Sequence, residues 1–241
     1  LVRTLPQSGL IVTNAAETSL ERVLQRGCWT PVERFGGADG WQMGEQFDDG
    51  FEVLLDGRSQ GRLRWDLMGA HNQLNALAAL AAARHVGVAI ETGIAALGQF
   101  KNVKRRMEVR GTVNGVTVYD DFAHHPTAIQ TTLAGLRRKA GSARILAVLE
   151  PRSNTMKLGA MKELLPGSLG DADLVFCYAS NLGWDAAAVL SPLGDKAHTF
   201  DDLAQLVDAV CAQARPGDQV LVMSNGGFGG VHGKLLQQLQ A

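Results

Sequence analysis

The segment Asp120-Asp121-Phe122-Ala123-His124-His125-Pro126 brings carboxylates and imidazoles together where a predicted strand gives way to a predicted helix. In an α/β sheet, ligands bind at the carboxyl ends of the strands. A carboxylate at Asp121 can accept both hydroxyl groups of a ribose. His124, at the helix N-terminus, can reach a phosphate in a field that favours anions. Two plainer interpretations stay open: Asp121 caps the helix, and the histidines form a satisfied loop pair.

Two blocks upstream carry groups that can bind a nucleotide. In His71-Asn72-Gln73-Leu74-Asn75, on a predicted helix, the two asparagines are neighbours and His71 shares their face. Amides side by side can make the hydrogen bonds that an adenine edge requires. At Arg105-Arg106, a guanidinium can donate two parallel hydrogen bonds to phosphate oxygens, and it stays charged at any working pH. Alternatively, the asparagines cap the helix or lie on its polar face. The two arginines could likewise be a solvated pair on the surface.

Two further polar loops follow predicted strands. The first holds a guanidinium, a hydroxyl, an amide and an ammonium, which suit a ligand with several carboxylates: Arg152, Ser153, Asn154 and Lys157. A polar loop with a helix cap is the alternative. The second is rich in glycine, so its backbone N–H groups can approach an anion closely, and its candidates are Asn225, Gly226 and Gly227. A dinucleotide fingerprint is excluded, because His232 stands where the third glycine would be.

Composition limits the partners. The 241 residues have a net charge of −1, which gives no global field to attract nucleic acid or an anionic membrane. The three cysteines are scattered without metal-type spacing, as expected of reduced thiols in the cytosol. We see no transmembrane run or secretory signal. A cytoplasmic protein without nucleic-acid or membrane partners is predicted. No metal site is predicted, because adjacent His and Asp pairs rarely offer three ligands to one ion.

The order of predicted elements gives the fold class. Strands are predicted at residues 51–55 and 62–67, with helices at 71–85 and 91–99. Asn114-Gly115 predicts a hairpin between strands at 107–113 and 116–119. After it, helices at 126–139, 156–165, 200–213 and 231–240 alternate with strands at 144–149, 174–178 and 219–223. This alternation predicts an α/β fold with a doubly wound, mostly parallel sheet over residues 103–241.

As a set, the HNxxN block, Arg105-Arg106-Met107-Glu108 and the DDFAHHP block resemble the Mur ligase superfamily of ATP-dependent amide ligases. The resemblance implies a Rossmann-like C-terminal acceptor-binding domain at residues 103–241. It also implies that residues 1–102 are the last part of a central ATP-binding domain with antiparallel strands. By resemblance, His71, Asn72 and Asn75 would hold adenine and Asp121 the ribose. Arg106 and His124 would face the phosphates or the transferring group as catalytic residues.

The family's reaction uses ATP and Mg²⁺ to convert the carboxylate of UDP-N-acetylmuramate into an acyl phosphate, which an amine attacks. The stretches EPRSNTMK and SNGGFGG are most similar to members that add the murein tripeptide L-alanyl-γ-D-glutamyl-meso-diaminopimelate in peptidoglycan recycling. Arg152, Ser153, Asn154, Lys157 and the glycines would then meet the tripeptide. Members specific for L-alanine carry arginines where this chain has Ser153 and Met156. An L-alanine ligase and a non-catalytic wall-peptide-binding module remain as alternatives.

No GxxxxGK[ST] phosphate loop occurs in the chain, although the family requires one. The resemblance therefore implies that this loop and the magnesium ligands lie upstream, in an N-terminal part of the same enzyme. We expect the chain alone to show no ligase turnover.

Overall fold

The computed structural model describes residues 1–65, 67, 69–101 and 103–240. The chain divides into two compact units, Leu1–Lys101 and Asn102–Ala241. Each unit has its own sheet. Each also has its own buried apolar core.

The first unit packs helices on a mixed five-stranded sheet of order β1-β2-β3-β4-β5. Its strands are β1 (Ile11–Asn14), β2 (Val32–Phe35), β3 (Trp41–Phe47), β4 (Gly50–Leu55) and β5 (Arg58–Arg64), and its helices are α1 (Thr18–Gln25), α2 (Ala70–His85) and α3 (Ile90–Gly98). Strands β3, β4 and β5 are antiparallel, whereas β1 and β2 pair in parallel. The core joins Trp41, Phe51 and Leu63 of the sheet to Leu77 and Leu80 of α2.

Two predicted helices and one predicted strand of this unit are confirmed, with shifts of one residue at their ends. The prediction of a strand at 62–67 was wrong in its bounds, because β5 begins at Arg58 and ends at Arg64; Asp66 lies outside the described residues. The cause is the turn. Asp56 and Gly57 both have positive φ, of 49° and 73°, so Leu55 pairs with Arg58 across a two-residue loop.

The second unit is a six-stranded sheet of order β10-β9-β8-β11-β7-β6, in which only β6 runs antiparallel to its neighbour. Its strands are β6 (Glu108–Val113), β7 (Val116–Asp121), β8 (Ile145–Leu149), β9 (Leu174–Tyr178), β10 (Ala197–Phe200) and β11 (Gln219–Met223). Its helices are α4 (Pro126–Ala140), α5 (Asn154–Lys157), α6 (Leu165–Ser168), α7 (Ala186–Leu190), α8 (Leu203–Gln213) and α9 (Val231–Gln238). The doubly wound, mostly parallel sheet is confirmed.

Both faces of this sheet are covered. Helices α4, α6 and α7 pack on one face through residues such as Leu133, Leu165 and Leu190. Helices α8 and α9 pack on the other through residues such as Leu206 and Leu235. Because both faces are buried, β8 reads as a continuous apolar run with every residue inside, as expected for a central parallel strand.

One predicted helix of the second unit was wrong, and another was wrong only in where it begins. The helix predicted at 156–165 is broken after α5, because Gly159 has a φ of 73°, and only short helical turns follow. The helix predicted from Phe200 begins at Leu203, where the side chain of Asp202 accepts a hydrogen bond from the N–H of Gln205. Phe200 instead ends the edge strand β10, which pairs with β9 in parallel.

Candidate functional site

Loops from three adjacent strands meet at one edge of the second sheet. In the parallel register, Met223 at the end of β11 lies beside Asp121 at the end of β7 and Leu149 at the end of β8. The loops after β7 and β8 lead to helices on one face, and the loop after β11 leads to α9 on the other. Such a reversal opens a crevice at the strand ends. A small depression there is lined by Ala123, His124, Ile129, Leu149, Glu150, Pro151, Met156 and Met223.

Asp121 lies at this edge but is almost wholly buried, at 2% exposure. Its Oδ2 accepts the N–H of Met107 at 2.8 Å, and its Oδ1 accepts the N–H of Ala123 at 2.8 Å and the hydroxyl of Thr132 at 3.3 Å. Burial raises the pKa of the Asp121 carboxyl, while the two backbone N–H groups and the charge of Arg106 oppose that rise. The carboxylate therefore fastens the start of the α4 loop and the segment before β6.

Residues 105–107, the arginine turn, have an unusual backbone. Arg105 and Met107 have φ of 61° and 51°, in the left-handed region that side chains disfavour. The N–H of Arg105 donates to Oε2 of Glu108 at 2.9 Å, and its carbonyl accepts the N–H of Phe122 at 2.8 Å. With the Met107–Asp121 bond, these contacts hold the turn in shape. The exposed guanidinium of Arg106, between the two strained residues, lies 5.9 Å from the ring centroid of Phe122.

His124 and His125 occupy the loop between β7 and α4. Nδ1 of His124 lies 2.9 Å from the carbonyl oxygen of Phe122, and its ring packs edge-on against Phe122 and His125. Burial, followed by the neighbouring His124, lowers the pKa of His125. The two histidines thus contact each other and the loop, as the alternative of a satisfied loop pair predicted in part. His124 nevertheless lines the depression at the strand ends.

Residues 224–230, the glycine loop, are tied to the end of β7 and to the loop after β8 through the buried Ser224. Its N–H donates to the Asp121 carbonyl at 3.1 Å, and its hydroxyl donates to Oε2 of Glu150 at 2.6 Å. The same hydroxyl accepts the N–H of Gly226 at 3.0 Å. Asn225 and Gly226 are half-buried and Gly227 is exposed. The sequence predicted Asn225, Gly226 and Gly227 as ligands but missed Ser224 and Glu150, which hold them.

The β8 loop, residues 150–153, meets the glycine loop through Arg152. A Cβ on Gly226 would lie 2.6 Å from Cζ of Arg152, so the guanidinium rests in the space that a side chain at Gly226 would fill. Arg152 is exposed, and its guanidinium has no hydrogen-bond acceptor among the described residues. It is therefore a cation held at the sheet edge and open to a ligand.

The other predicted residues of this segment have mixed surroundings. Oγ of Ser153 accepts the N–H of Met156 at 3.3 Å and caps α5, so the capping alternative is realised there. Asn154, in the first turn of α5, is exposed, and Lys157 is half-buried. The indole of Trp184 donates to the Met156 carbonyl at 2.7 Å and anchors the helix. Of these residues, Asn154 is the one most open to solvent.

An ion pair between the half-buried Arg105 and the buried Asp120 was missed by the sequence reasoning. Oδ1 of Asp120 lies 3.4 Å from Nε of Arg105 and 3.3 Å from Nε2 of His232 on α9. Burial lowers the pKa of His232, with Asp120 opposing the change and Arg110 and Arg105 adding to it. The available signal was strand alternation, since consecutive residues of β7 point to opposite faces and Asp120 must face away from Asp121.

The predicted adenine residues belong to the first unit. Helix α2 starts after Gly69, whose φ is 91°, without a side-chain cap bond. His71 and Asn72 are half-buried in its first turn, and Asn75 is exposed one turn later. The asparagines are thus not helix caps, and they lie on a face that solvent reaches.

Within the described ranges, no group of three or more His, Cys, Asp or Glu side chains is placed to hold a metal ion. Among the same residues, no helix is long and apolar enough to cross a membrane.

Comparison with known families gives a match in the second unit. The family model for the Mur ligase, glutamate ligase domain matches residues 105–226, a little more than half of the chain. The match spans the arginine turn, the loops after β7 and β8, and the start of the glycine loop.

Similar proteins match nearly the whole chain. It is 51% identical over 243 aligned residues to the Escherichia coli (strain K12) UDP-N-acetylmuramate--L-alanyl-gamma-D-glutamyl-meso-2,6-diaminoheptandioate ligase, covering 99% of this chain and 53% of that protein. It is 35% identical over 207 residues to the UDP-N-acetylmuramate--L-alanine ligase of Myxococcus xanthus (strain DK1622), covering 80% of this chain and 43% of the relative. The chain thus spans about half the length of these relatives.

A solved structure agrees with the sequence relatives. The murein peptide ligase of Psychrobacter arcticus 273-4 is 39% identical and superposes with a TM-score of 0.76, covering 99% of this chain and 53% of that one. The UDP-N-acetylmuramate-alanine ligase of Thermotoga maritima has the same TM-score of 0.76 at 21% identity, which shows a shared fold.

Proposed function

The chain belongs to the Mur ligase family, and from this premise we propose that it is part of an ATP-dependent ligase that joins UDP-N-acetylmuramate to L-alanyl-γ-D-glutamyl-meso-diaminopimelate. In the proposed reaction, the γ-phosphoryl group of ATP passes to the lactyl carboxylate and ADP leaves. The free amine of the tripeptide attacks the acyl phosphate, the amide bond forms, and phosphate and a proton are released. Catalysis of this kind depends on positioning and charge neutralisation.

The observation that carries this proposal is the open cation of the β8 loop, which lies against the glycine loop. Arg152 lies against Gly226, is exposed, and has no acceptor among the described residues. The tripeptide bears three carboxylates, whereas L-alanine bears one next to its attacking amine. A guanidinium can hold a carboxylate with two parallel hydrogen bonds. Lys157, the last residue of α5, adds a second cation to this segment. Such a pair suits an acceptor whose charges lie far from its reacting amine.

The arginine turn and the α4 loop are proposed to face the nucleotide. The exposed guanidinium of Arg106 and the accessible imidazole of His124 are donors that fit phosphate oxygens. In the first unit, His71, Asn72 and Asn75 are proposed to hold adenine. ATP and Mg²⁺, when bound, supply the phosphoryl group and screen its charge. We propose that Asp121 serves the ribose mainly by positioning, since both of its oxygens already accept hydrogen bonds.

The test is an NMR titration of the 241-residue chain with the tripeptide, and with L-alanine as the comparison. We expect saturable shifts at residues 152–157 and 224–230 with the tripeptide only. Arg152→Ala removes charge-assisted hydrogen bonds, so it should weaken tripeptide binding by roughly tenfold or more. Arg138→Ala, at an exposed site in the last turn of α4, is the matched control and should leave affinity unchanged.

Equal shifts with L-alanine would instead support an L-alanine ligase. Absence of shifts in both segments, or equal affinity of the Arg152→Ala variant and the wild type, would contradict the proposed acceptor site.

A further inference from the structure

The side chain of Arg105 bonds to the glycine loop and to strand β7. Its Nη2 donates to the carbonyl of Ser224 at 2.6 Å and to the carbonyl of Gly226 at 2.7 Å. Its Nε faces the buried carboxylate of Asp120 at 3.4 Å. One planar guanidinium thus draws together two carbonyls that are two residues apart and anchors them to β7. The contact spans 119 and 121 positions of sequence, so it is a tertiary constraint on the loop.

The carbonyls of Ser224 and Gly226 converge on a single nitrogen, so their dipoles repel each other unless a donor lies between them. The opposite side of the loop is held by the Ser224 hydroxyl, which accepts the N–H of Gly226 at 3.0 Å. Gly226 is therefore fixed from both sides. Its bare Cα is the surface on which Arg152 lies, since any Cβ there would meet Cζ of Arg152 at 2.6 Å.

We propose that Arg105 is a positioning residue for the acceptor: by clamping the glycine loop, it sets where the guanidinium of Arg152 stands. This inference rests on the proposed function, in which Arg152 binds a carboxylate of the tripeptide. The side chain of Arg105 is occupied by the loop carbonyls and Asp120, so it acts through Arg152. The position requires arginine because the planar guanidinium has several N–H donors. The compact ammonium of a lysine cannot bond to both carbonyls and to Asp120 at once. The adjacent Arg106 is exposed and is not among the residues that hold the two loop carbonyls.

The test combines two readouts on the 241-residue chain. The first is ligand-free: the Nε–Hε NMR signal of Arg152, which reports its environment and mobility. In Arg105→Lys this signal should shift and lose order, while a thermal melt confirms that the variant is folded. Arg110→Lys is the matched control, because Arg110 is exposed on the neighbouring strand β6, and it should leave the Arg152 signal in place.

The second readout is tripeptide affinity in a double-mutant cycle. Arg105→Lys should raise the Kd roughly tenfold in the wild-type background and scarcely at all in the Arg152→Ala background, because the two residues act through one contact. An equal increase in both backgrounds, or an unchanged Arg152 signal, would overturn the inference. If the wild type fails to bind the tripeptide, the proposed function fails, and the ligand-free Arg152 signal alone decides the role of Arg105.

Discussion

Replacement of Asp121 by asparagine is the perturbation whose effect the structure defines most fully. The carboxylate accepts the N–H groups of Met107 and Ala123, each at 2.8 Å, on different oxygens. An asparagine side chain has one oxygen and one NH₂ group. Whichever way the amide is turned, one backbone N–H at this buried site then faces a donor. Asp121→Asn must therefore leave a buried donor unsatisfied while changing almost no volume.

The size of the effect follows from that one lost bond. A buried polar group without its partner costs about 1–3 kcal/mol. Burial disfavours the charged carboxylate, which is why the pKa of Asp121 is raised, and a neutral asparagine avoids that cost. The net loss of stability should therefore lie in the lower half of this range. We expect the free energy of unfolding of the second unit to fall by about 1–2 kcal/mol at neutral pH.

Hydrogen exchange measures this loss in the unit concerned. The amides of β11, at the centre of the second sheet, exchange through global opening of that unit and report its unfolding free energy. Asp171→Asn, an exposed carboxylate in the same unit, is the control and should change the value by less than about 0.5 kcal/mol. Equal exchange of β11 amides in the two variants would refute the argument that Asp121 is a structural acceptor.

Two further predictions concern the glycine loop and the half-buried His232. Gly226→Ala should displace the guanidinium of Arg152 and weaken tripeptide binding severalfold by calorimetry, with the melting temperature within a few degrees of the wild type; unchanged affinity would contradict the contact. Burial lowers the pKa of His232 below its ordinary 6.5, so its contribution to stability is full above that value and is lost as the pH falls through the folded pKa. Between about pH 7.5 and pH 5, wild-type urea midpoints should therefore fall further than those of His232→Gln, and parallel curves would contradict this.

Local sequence signals predicted the elements whose cause is local. The hairpin at Asn114-Gly115 forms as expected, because both residues adopt positive φ, of 49° and 78°, and Val113 pairs directly with Val116. The apolar run of β8 and the proline at the start of α4 are of the same kind. For these elements the residues themselves decide the conformation.

Elements decided by distant contacts were not predictable in this way. The helix predicted at 156–165 ends early because Gly159 turns the chain and Trp184, 28 residues from Met156, takes its carbonyl. Phe200, the last residue of β10, was included in the predicted helix because it lies in phase with the apolar face of α8, whereas pairing with β9 places it in a strand. Long-range geometry overrode propensity at both places.

In the candidate site, too, some features could be predicted from the sequence and others could not. The strand-end position of Asp121, His124, Arg152 and the glycines could be read from the order of strands and helices. The sequence could not reveal that Asp121 is buried. It also could not separate the roles of Arg105 and Arg106, which are adjacent and identical, because only the clamp on Ser224 and Gly226 distinguishes them.

The central proposal is that this chain selects a wall tripeptide as acceptor. The most direct measurement uses a chimera in which the chain replaces the matching half of the Escherichia coli relative, with which it is 51% identical. Given MgATP, UDP-N-acetylmuramate and equal amounts of tripeptide and L-alanine, the chimera should yield the tripeptide amide by mass spectrometry, with little alanine product. A predominance of the alanine amide, or a folded chimera that makes neither product while the parent enzyme is active, would contradict the account.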